Sequence, residues 1–360
     1  MGVIKVRSDE RGVSLVFVAL AMVVLLGMAA LAIDVGMLFT AKGQAQNAAD
    51  SGALAGAGAL LLSPADDVNA TNVAENFAEQ HQIIKQQVDI QPAEDIQVDL
   101  VNKHVTVTAR RINARGNAVP TFFAKVLDID LVDVTATATA EVIPANTASC
   151  LKPWAIPDAY DDVNDNGVYD LGIDYYAPGV TSWGTTYRSA GMDFGTQLVL
   201  KLGGPQDAIS PGQFFPIDLP LPDSPDTGGD KYRDNITNCN GQIVAVGDMV
   251  FTENGNMVGP TNQGVQALIN QDVGASWADG IGIVGSAFPP GASPRIGRVP
   301  MFDPGNPPTS GKQDLQVTNI SGFFIEGVQG NGNVTGRLVP ALGMGGPGPG
   351  ALLQTVRLVK

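Results

Sequence analysis

The sequence predicts an α+β protein: an N-terminal transmembrane helix that continues into a helix packed on an antiparallel sheet, followed by a mainly β, Gly/Pro-rich exported domain. Three observations carry this. From Gly12 to Ile33 no residue is charged, and Ser14 is the only polar side chain. Beyond Ile96 the apolar period changes from helical to two. The glycines and prolines, 43 and 24 in the whole chain, concentrate after residue 144.

The apolar run has the length of about 20 residues that a bilayer core requires of a helix. Lys5, Arg7 and Arg11 precede it and Asp34 closes it, so the basic flank is expected in the cytoplasm and the rest outside. A second reading is a cleaved signal peptide, with Ala30-Leu31-Ala32 as the cleavage site. The length of the run, and the helical pattern that continues past that site, favour a retained anchor. The expected organisation is a cytoplasmic N-terminus over 1–12, a transmembrane helix over 13–33, an α+β region over 34–143, a linker over 144–149 and a β-rich exported domain over 150–360.

The helix is expected to run on to Leu62, because Val35 to Leu62 holds no proline and is dense in alanine. Ala41, Ala45, Ala49, Ala53 and Ala57 recur at i+4, and Ala48, Gly52 and Gly56 form a second small-residue stripe. Such a face admits another backbone closely, either the chain's own sheet or the helices of partner subunits. Ser63-Pro64 ends the helix.

Asp67 or Asn69 is expected to cap a second helix reaching about Gln87, with Val73, Phe77, Ile83 and Ile84 on its apolar face. Ile96, Val98 and Leu100, then Val105, Val107 and Ala109, alternate with polar residues as two strands joined at Asn102-Lys103. Residues 119–128 read as a short helix with Pro120 in its first turn. Leu131 to Ile143 alternates again, and its small alanines imply that something bulky lies over them. Past Cys150 the expected strands are 197–202, 242–246, 281–284, 315–317, 322–328 and 352–359, with one helix over 262–270.

A specific resemblance is carried by Arg11-Gly12, by Leu31-Ala-Ile-Asp-Val-Gly-Met-Leu38 and by Gln44-Ala-Gln-Asn-Ala-Ala-Asp-Ser-Gly-Ala-Leu-Ala55. Together they resemble the N-terminal region of TadG-like proteins of the Tad/Flp (tight adherence) pilus machinery, over residues 8–62. The resemblance implies a pilin-like α+β region and a single-pass protein of the inner membrane. It also implies a periplasmic or extracellular bulk, a structural rather than enzymatic role, and pilus or envelope assembly proteins as partners. Related prepilin-like members carry Glu five positions after the processing glycine. Counted from Gly12 that position is Phe17, which favours an unprocessed anchor. Some TadG-like proteins hold a von Willebrand A domain, but its D-x-S-x-S motif does not occur in this sequence. Lys152-Pro-Trp-Ala-Ile-Pro-Asp158, Gly259-Pro-Thr-Asn-Gln-Gly264, Asp272-Val-Gly-Ala-Ser-Trp277 and Ser293-Pro-Arg-Ile-Gly-Arg-Val-Pro300 resemble instead the exported region of some longer TadE/TadG-like proteins. Trp154 and Trp277 are expected as core or loop anchors rather than recognition aromatics.

The net charge of −15 argues against a nucleic-acid binder, which wants basic patches, and against an exported face that adheres to anionic lipid; it favours solubility and divalent cations. Two cysteines in an exported chain, Cys150 and Cys239, predict one disulfide. The best candidate ligand site is a calcium loop. With Asp162 as position one, Asn164 and Asn166 stand at three and five, Gly167 at six, the Val168 carbonyl at seven and Asp170 at nine. Position twelve is Ile173, so the closing Glu of an EF-hand is missing, and Asp174 is its substitute. The alternative is an Asn/Asp/Gly turn that needs no metal. No catalytic constellation emerges: neither His81 nor His104 has a partner set, and no nucleophile elbow, Walker A loop or H-E-x-x-H occurs. Calcium is the one cofactor suggested, and no small-molecule substrate is. A calcium-stabilised surface adhesin on the same anchor, without a pilus role, is the alternative function.

Overall fold

The computed structural model describes residues 10–158, 160–161, 163, 170, 172–173, 175–176, 195–201, 215–219, 228–253, 255–308, 312–345 and 352–359. The chain divides into two compact units, Met1–Glu141 with Arg357–Lys360, and Val142–Val356.

The first unit is organised on α1 (Glu10–Leu62), a single helix of 53 residues that is about 80 Å long at the α-helical rise. It stops at Ser63, before Pro64. The second helix, α2 (Asp67–Glu79), is capped by Asp66, whose carboxylate accepts the Asn69 N–H at 2.9 Å. It ends eight residues before the expected Gln87. Ile84 and Lys85 take positive φ, +46° and +62°, which turns the chain into the hairpin β1 (Gln82–Ile83) and β2 (Gln86–Gln87). Gln44 of α1 fixes this turn by accepting the Ile84 N–H at 2.7 Å.

After one helical turn, α3 (Pro92–Asp95), come β3 (Ile96–Asp99) and β4 (His104–Arg111). Asp99 closes their turn by accepting from the Val101 and Asn102 N–H groups. The expected helix over 119–128 does not form. Pro120 lies instead in β5 (Val119–Pro120), antiparallel to β6 (Leu131–Val132), and only Ala124–Leu127 make a 3-10 turn. Thr121 locks this arrangement, donating its N–H to the Asp130 carbonyl and its hydroxyl to that of Ile129. The long strand β7 (Val134–Ala145) pairs with β4 through all of His104–Arg111.

One face of this sheet is apolar and carries Val105, Val107 and Ala109 of β4 with Ala136, Ala138 and Ala140 of β7, all buried. α1 packs on β4 and α2 on β3, with Ala70, Ala74 and Ala78 of α2 turned inward. The small strand residues are what lets the helix backbones come close. On the other face Thr106 meets Thr139 at 2.9 Å, and Thr108 meets Thr137 at 3.1 Å. The chain's last residues return here, with Val359 donating to Thr139 and Arg357 to Glu141.

The expected linker 144–149 is strand. β7 runs through Ala145, and β8 (Thr147–Ser149) pairs with a strand at 243–245; Ala145 and Ala148 are buried, which is why the segment is not free. The second unit continues with β9 (Trp154–Pro157), β10 (Tyr160–Asp161), β11 (Tyr175–Tyr176), β12 (Gln197–Lys201) and β13 (Phe215–Asp218). There follow α4 (Gly229–Thr237), β14 (Ile243–Ala245), β15 (Met249–Thr252), α5 (Val258–Asn270), β16 (Ser276–Ala278) and β17 (Gly282–Val284). The chain ends with β18 (Ile296–Phe302), β19 (Asp314–Gln316), β20 (Asn319–Val328), β21 (Val334–Val339) and β22 (Leu353–Leu358).

Eight of these strands form one sheet in the order β12-β21-β20-β18-β9-β13-β15-β19. Its pairs are antiparallel except β9 with β18, which run parallel from Met301↔Ile156. Alternation along the strands sends Val299, Met301, Phe323 and Ile325 to one core with Tyr232 and Ile236 of α4 and Val265 and Leu268 of α5. Phe302, Ile320, Leu315 and Val250 go to another core with Val244 and Leu151. Gly336 is required where it stands, since a Cβ there would lie 2.6 Å from Leu200 Cδ1.

Candidate functional site

α1 is long and apolar enough to cross a membrane, and residues 14–33 present their side chains to the surroundings rather than to the protein. The first charged residue after this run is Asp34, which is 1% exposed. It is buried because the loop after β5 folds onto it. Oδ1 accepts the Phe122 N–H at 2.9 Å, and Oδ2 accepts those of Phe123 at 2.9 Å and Ala124 at 2.6 Å. Burial pushes the carboxyl up, and the N–H groups of Phe122, Ala124 and Phe123 pull it down by more, so it lies below the ordinary carboxylate range. The loop held this way exposes Phe122, Phe123, Val126, Leu127, Ile129 and Leu131.

Past Asp34 the small-residue stripes face inward. Ala41, Ala45, Ala48, Ala49 and Ala53 are fully buried. A Cβ on Gly52 would stand 2.9 Å from the Ala74 carbonyl oxygen and 3.0 Å from Ala78 Cβ; one on Gly56 would stand 2.8 Å from Val105 Cγ1 and 2.9 Å from Ala74 Cβ. Of the two surfaces expected to use these stripes, own sheet or partner helices, the chain's own α2 and sheet occupy them.

Residues 12–59 match the Tad family model, putative Flp pilus-assembly TadE/G-like. No curated protein and no solved structure matches the chain. The matched segment thus takes in the apolar run, Asp34, and all of the small-residue face that packs on α2 and β4.

Outside the matched segment, several buried charged side chains among the described residues hold the fold. Asp95 is buried between Arg110, at 2.7 Å, and Arg115, at 2.5 Å. Arg111 is buried too and donates to the carbonyls of Asn117, Ile83 and Ala118. His104 pairs with Glu141 at 3.1 Å, and Arg357 reaches the same carboxylate at 2.6 Å. The Arg357 hydrogen bond is the main reason that Glu141 is held below the ordinary carboxylate range.

In the second unit the four segments quoted for their resemblance meet in pairs. Trp154 donates its indole N–H to the Tyr232 hydroxyl at 2.7 Å, which in turn stands 3.2 Å from the Thr261 hydroxyl. Asp272 accepts from the Ser286 and Ser293 hydroxyls, both at 2.6 Å, and from the Ala287 N–H. Arg295 donates to the carbonyls of Asp272, Ala275, Ile325 and Glu326 and lies over the Phe324 ring. Trp154 is a core residue, and Trp277 is half-buried beneath Arg337. These networks satisfy buried polar groups.

Cys150 and Cys239 form a disulfide across a sequence separation of 89. Beside it is a cavity of about 280 Å³ lined by Lys152, Thr237 and Gln271. Lys152 donates to the Ile236 carbonyl, and burial, with the nearby Arg298 charge, pushes its ammonium down to about 8. Of the candidate calcium ligands, Asp162, Asn164, Asn166, Val168 and Asp174 lie outside the described residues; Asp170 is half-buried, and its carbonyl accepts the Ile173 N–H. Among the described residues no three His, Cys, Asp or Glu side chains converge as a metal site.

Sequence reasoning missed the roles of Asp34, Arg111, Asp95 and Asp272. Asp34 is flanked on both sides by apolar residues, and that signal alone does not name its partner; Asp95, Arg111 and Asp272 adjoin Glu94, Arg110 and Gln271 and carry no such signal.

Proposed function

We propose that this protein is a single-pass, non-enzymatic structural component of a Tad/Flp-type pilus or a related envelope assembly, set in the inner membrane with its N-terminus in the cytoplasm. The observation that carries the proposal is a coincidence of extents. The match to a pilus-assembly family covers 12–59, which is both the membrane run and the helix on which the first unit is built. Lys5, Arg7 and Arg11 support the orientation. The exported units extend from this anchor toward pilus or envelope proteins, and their buried charges serve folding rather than turnover.

The test is a deletion strain complemented in two ways, with the parent chain and with a chain whose residues 14–33 are replaced by an unrelated transmembrane helix. Loss of surface pili on deletion, restored by the parent chain, is the expected result. Normal piliation in the deletion strain would overturn the proposal. The helix-swapped chain tells whether the membrane run has a sequence-specific partner or only anchors.

A weak calcium site over 162–174 belongs to the same proposal. The Asn/Asp/Gly spacing supports it, and millimolar calcium is expected to raise the Tm of the protein. The double substitution Asp162→Ala, Asp170→Ala should abolish that rise; no rise in the parent chain reduces the loop to a turn.

A further inference from the structure

We propose that residues 122–131 form a second membrane contact, an apolar collar seated in the bilayer interface where α1 leaves the membrane, with Asp34 as the clasp that fixes it there. The inference rests on the reading that residues 14–33 are embedded.

Its starting point is the exposure of the loop. Val126 is 87% exposed, Leu127 67% and Phe122 66%, and Phe123, Ile129 and Leu131 are exposed beside them. Six large apolar side chains open to the outside within ten residues form an unusual patch for a soluble surface, and such a patch marks a contact. What covers it follows from where it is held. Three consecutive backbone N–H groups of this loop, those of Phe122, Phe123 and Ala124, bond to the carboxylate of Asp34. Asp34 is the first residue past the apolar run. Twenty helical residues span about 30 Å, the thickness of a bilayer core, so with 14–33 embedded Asp34 stands at the boundary of that core. The loop is therefore at the same boundary, and its apolar surface continues that of the membrane helix.

The chemistry of Asp34 fits this position. A free carboxylate at the edge of the hydrocarbon would have to keep its water. Here three N–H groups replace the water, so the helix can leave the bilayer beside an apolar loop without a hydrated charge between them. A groove of about 390 Å³ that begins at Val35 is lined by Leu38, Phe39, Val132 and Val134 together with Lys42 and Asp133, so the apolar surface continues a short way beyond the clasp and then gives way to charge. Of the loop's charged residues, Lys125 can reach headgroup phosphates while its stem stays among apolar neighbours, and the exposed carboxylates of Asp128 and Asp130 hold the seat shallow, at headgroup level. Interfacial segments of this kind seat about 5–10 Å into the headgroup and acyl boundary. Two contacts, one spanning and one peripheral, would fix the direction in which the first unit leaves the membrane.

The test uses the full chain, with its disulfide intact, in vesicles of phosphatidylcholine and phosphatidylglycerol. Single cysteines replace Leu20, Val126 or Val101 (Leu20→Cys, Val126→Cys, Val101→Cys), and each carries an environment-sensitive fluorophore. Val101 is the distant control: it lies in the β3–β4 turn, and β4 packs beside Gly56, which is 22 residues and about 33 Å along α1 from Asp34. The expected result is that the labels at 20 and 126 emit blue-shifted light and lose most of it to a quencher attached to the lipid chains, while the label at 101 does neither. Quenching at 20 with an aqueous label at 126 overturns the collar and leaves the anchor standing. A label at 126 that is shielded from water yet untouched by the lipid quencher means that protein, such as a second copy, covers the loop, and also overturns it. An aqueous label at 20 overturns the anchor and the collar together.

Discussion

Asp34 and Ala124 are ninety residues apart in sequence, and the Oδ2 of the first accepts a 2.6 Å hydrogen bond from the backbone N–H of the second. Phe122 and Phe123 donate to the same carboxylate. The bonds tie the point where α1 becomes polar to the loop between β5 and β6. They also give Asp34 a double role, since it ends the apolar run and organises the chain beyond it.

The pH dependence of this clasp has a definite sign. The folded pKa lies below the ordinary aspartate value of 3.8, so the carboxylate contributes its full stability above 3.8 and loses it as pH falls through the lower folded value. Asp34→Asn keeps one acceptor oxygen but places an amide against three N–H groups. The variant is expected to melt below the parent chain at neutral pH. The gap between the two should close on acidification below about pH 4. Thermal melts of the detergent-solubilised full chain across that range decide it; a gap that stays constant would mean that the charge does not hold the loop.

Two glycines of α1 should respond oppositely to the same change. Glycine inside a helix costs roughly 0.5–1 kcal/mol relative to alanine. At Gly58 nothing lies within 4 Å of the added Cβ, so Gly58→Ala should stabilise by about that amount. At Gly56 the added Cβ would meet Val105 Cγ1 at 2.8 Å, Ala74 Cβ at 2.9 Å and the Ala70 carbonyl oxygen at 3.1 Å. Overpacking of this sort costs typically about 1–3 kcal/mol, which exceeds the gain in propensity. Gly56→Ala should therefore lower the Tm while Gly58→Ala raises it. A bulky residue at Gly52, which likewise meets α2 at Ala74 and Ala78 and β4 at Val107, tests folding and not a partner's helix. Equal effects at 56 and 58 would contradict the packing described.

Much of this fold can be read before any coordinates are seen. An uncharged run followed by alanines at i+4 needs no tertiary information to be a helix, and the alternation at 104–111 and 134–142 needs none to be strands. The disulfide follows from two cysteines in a chain expected to be exported. What fails is set by distant partners. Ile84 and Lys85 carry no turn signature, and their positive φ is stabilised by Gln44, forty residues earlier. Pro120 suits a first helical turn, but the backbone of Asp130 and Ile129 claims its neighbour Thr121. Pro144 and Asn146 suggest a linker, although Ala145 and Ala148 between and beyond them are buried. Pro300 hides β18 in the same way. For the site, the apolar run and Asp34 are legible as a boundary, but the three N–H donors are not, because residues 119–128 read as a short helix and nothing in them names a partner some ninety residues earlier.

The disulfide should matter more than any single contact of the second unit. Closing a loop with a sequence separation of 89 contributes about 4–5 kcal/mol in the chain-entropy description. Cys150→Ser with Cys239→Ser, or reduction of the parent chain, is expected to lower stability by up to that amount. Denaturant titrations with and without reductant measure it. A difference under about 1 kcal/mol would show that the open chain is already restrained without the bridge.

Lys152 should make the second unit more stable in alkali. Its folded value is pushed down to about 8, below the ordinary lysine value of 10.5. Below 8 both states are protonated, and the folded state carries the whole cost of an ammonium buried in the core. Between 8 and 10.5 the folded state gives up its proton first, so the cost is relieved as pH rises; above 10.5 it is gone. The difference corresponds to about 3 kcal/mol. The neutral amine keeps an N–H to donate to the Ile236 carbonyl, so the contact survives deprotonation. Lys201, also buried and also pushed down to about 8, would confuse a single melt. A comparison with Lys152→Met removes it, because Lys201 is common to both chains. The stability of the parent chain relative to Lys152→Met is expected to improve by about 3 kcal/mol from pH 8 to 10.5. A relative stability that is flat over this range would show that Lys152 keeps water at its ammonium, through the cavity beside Cys150 and Cys239.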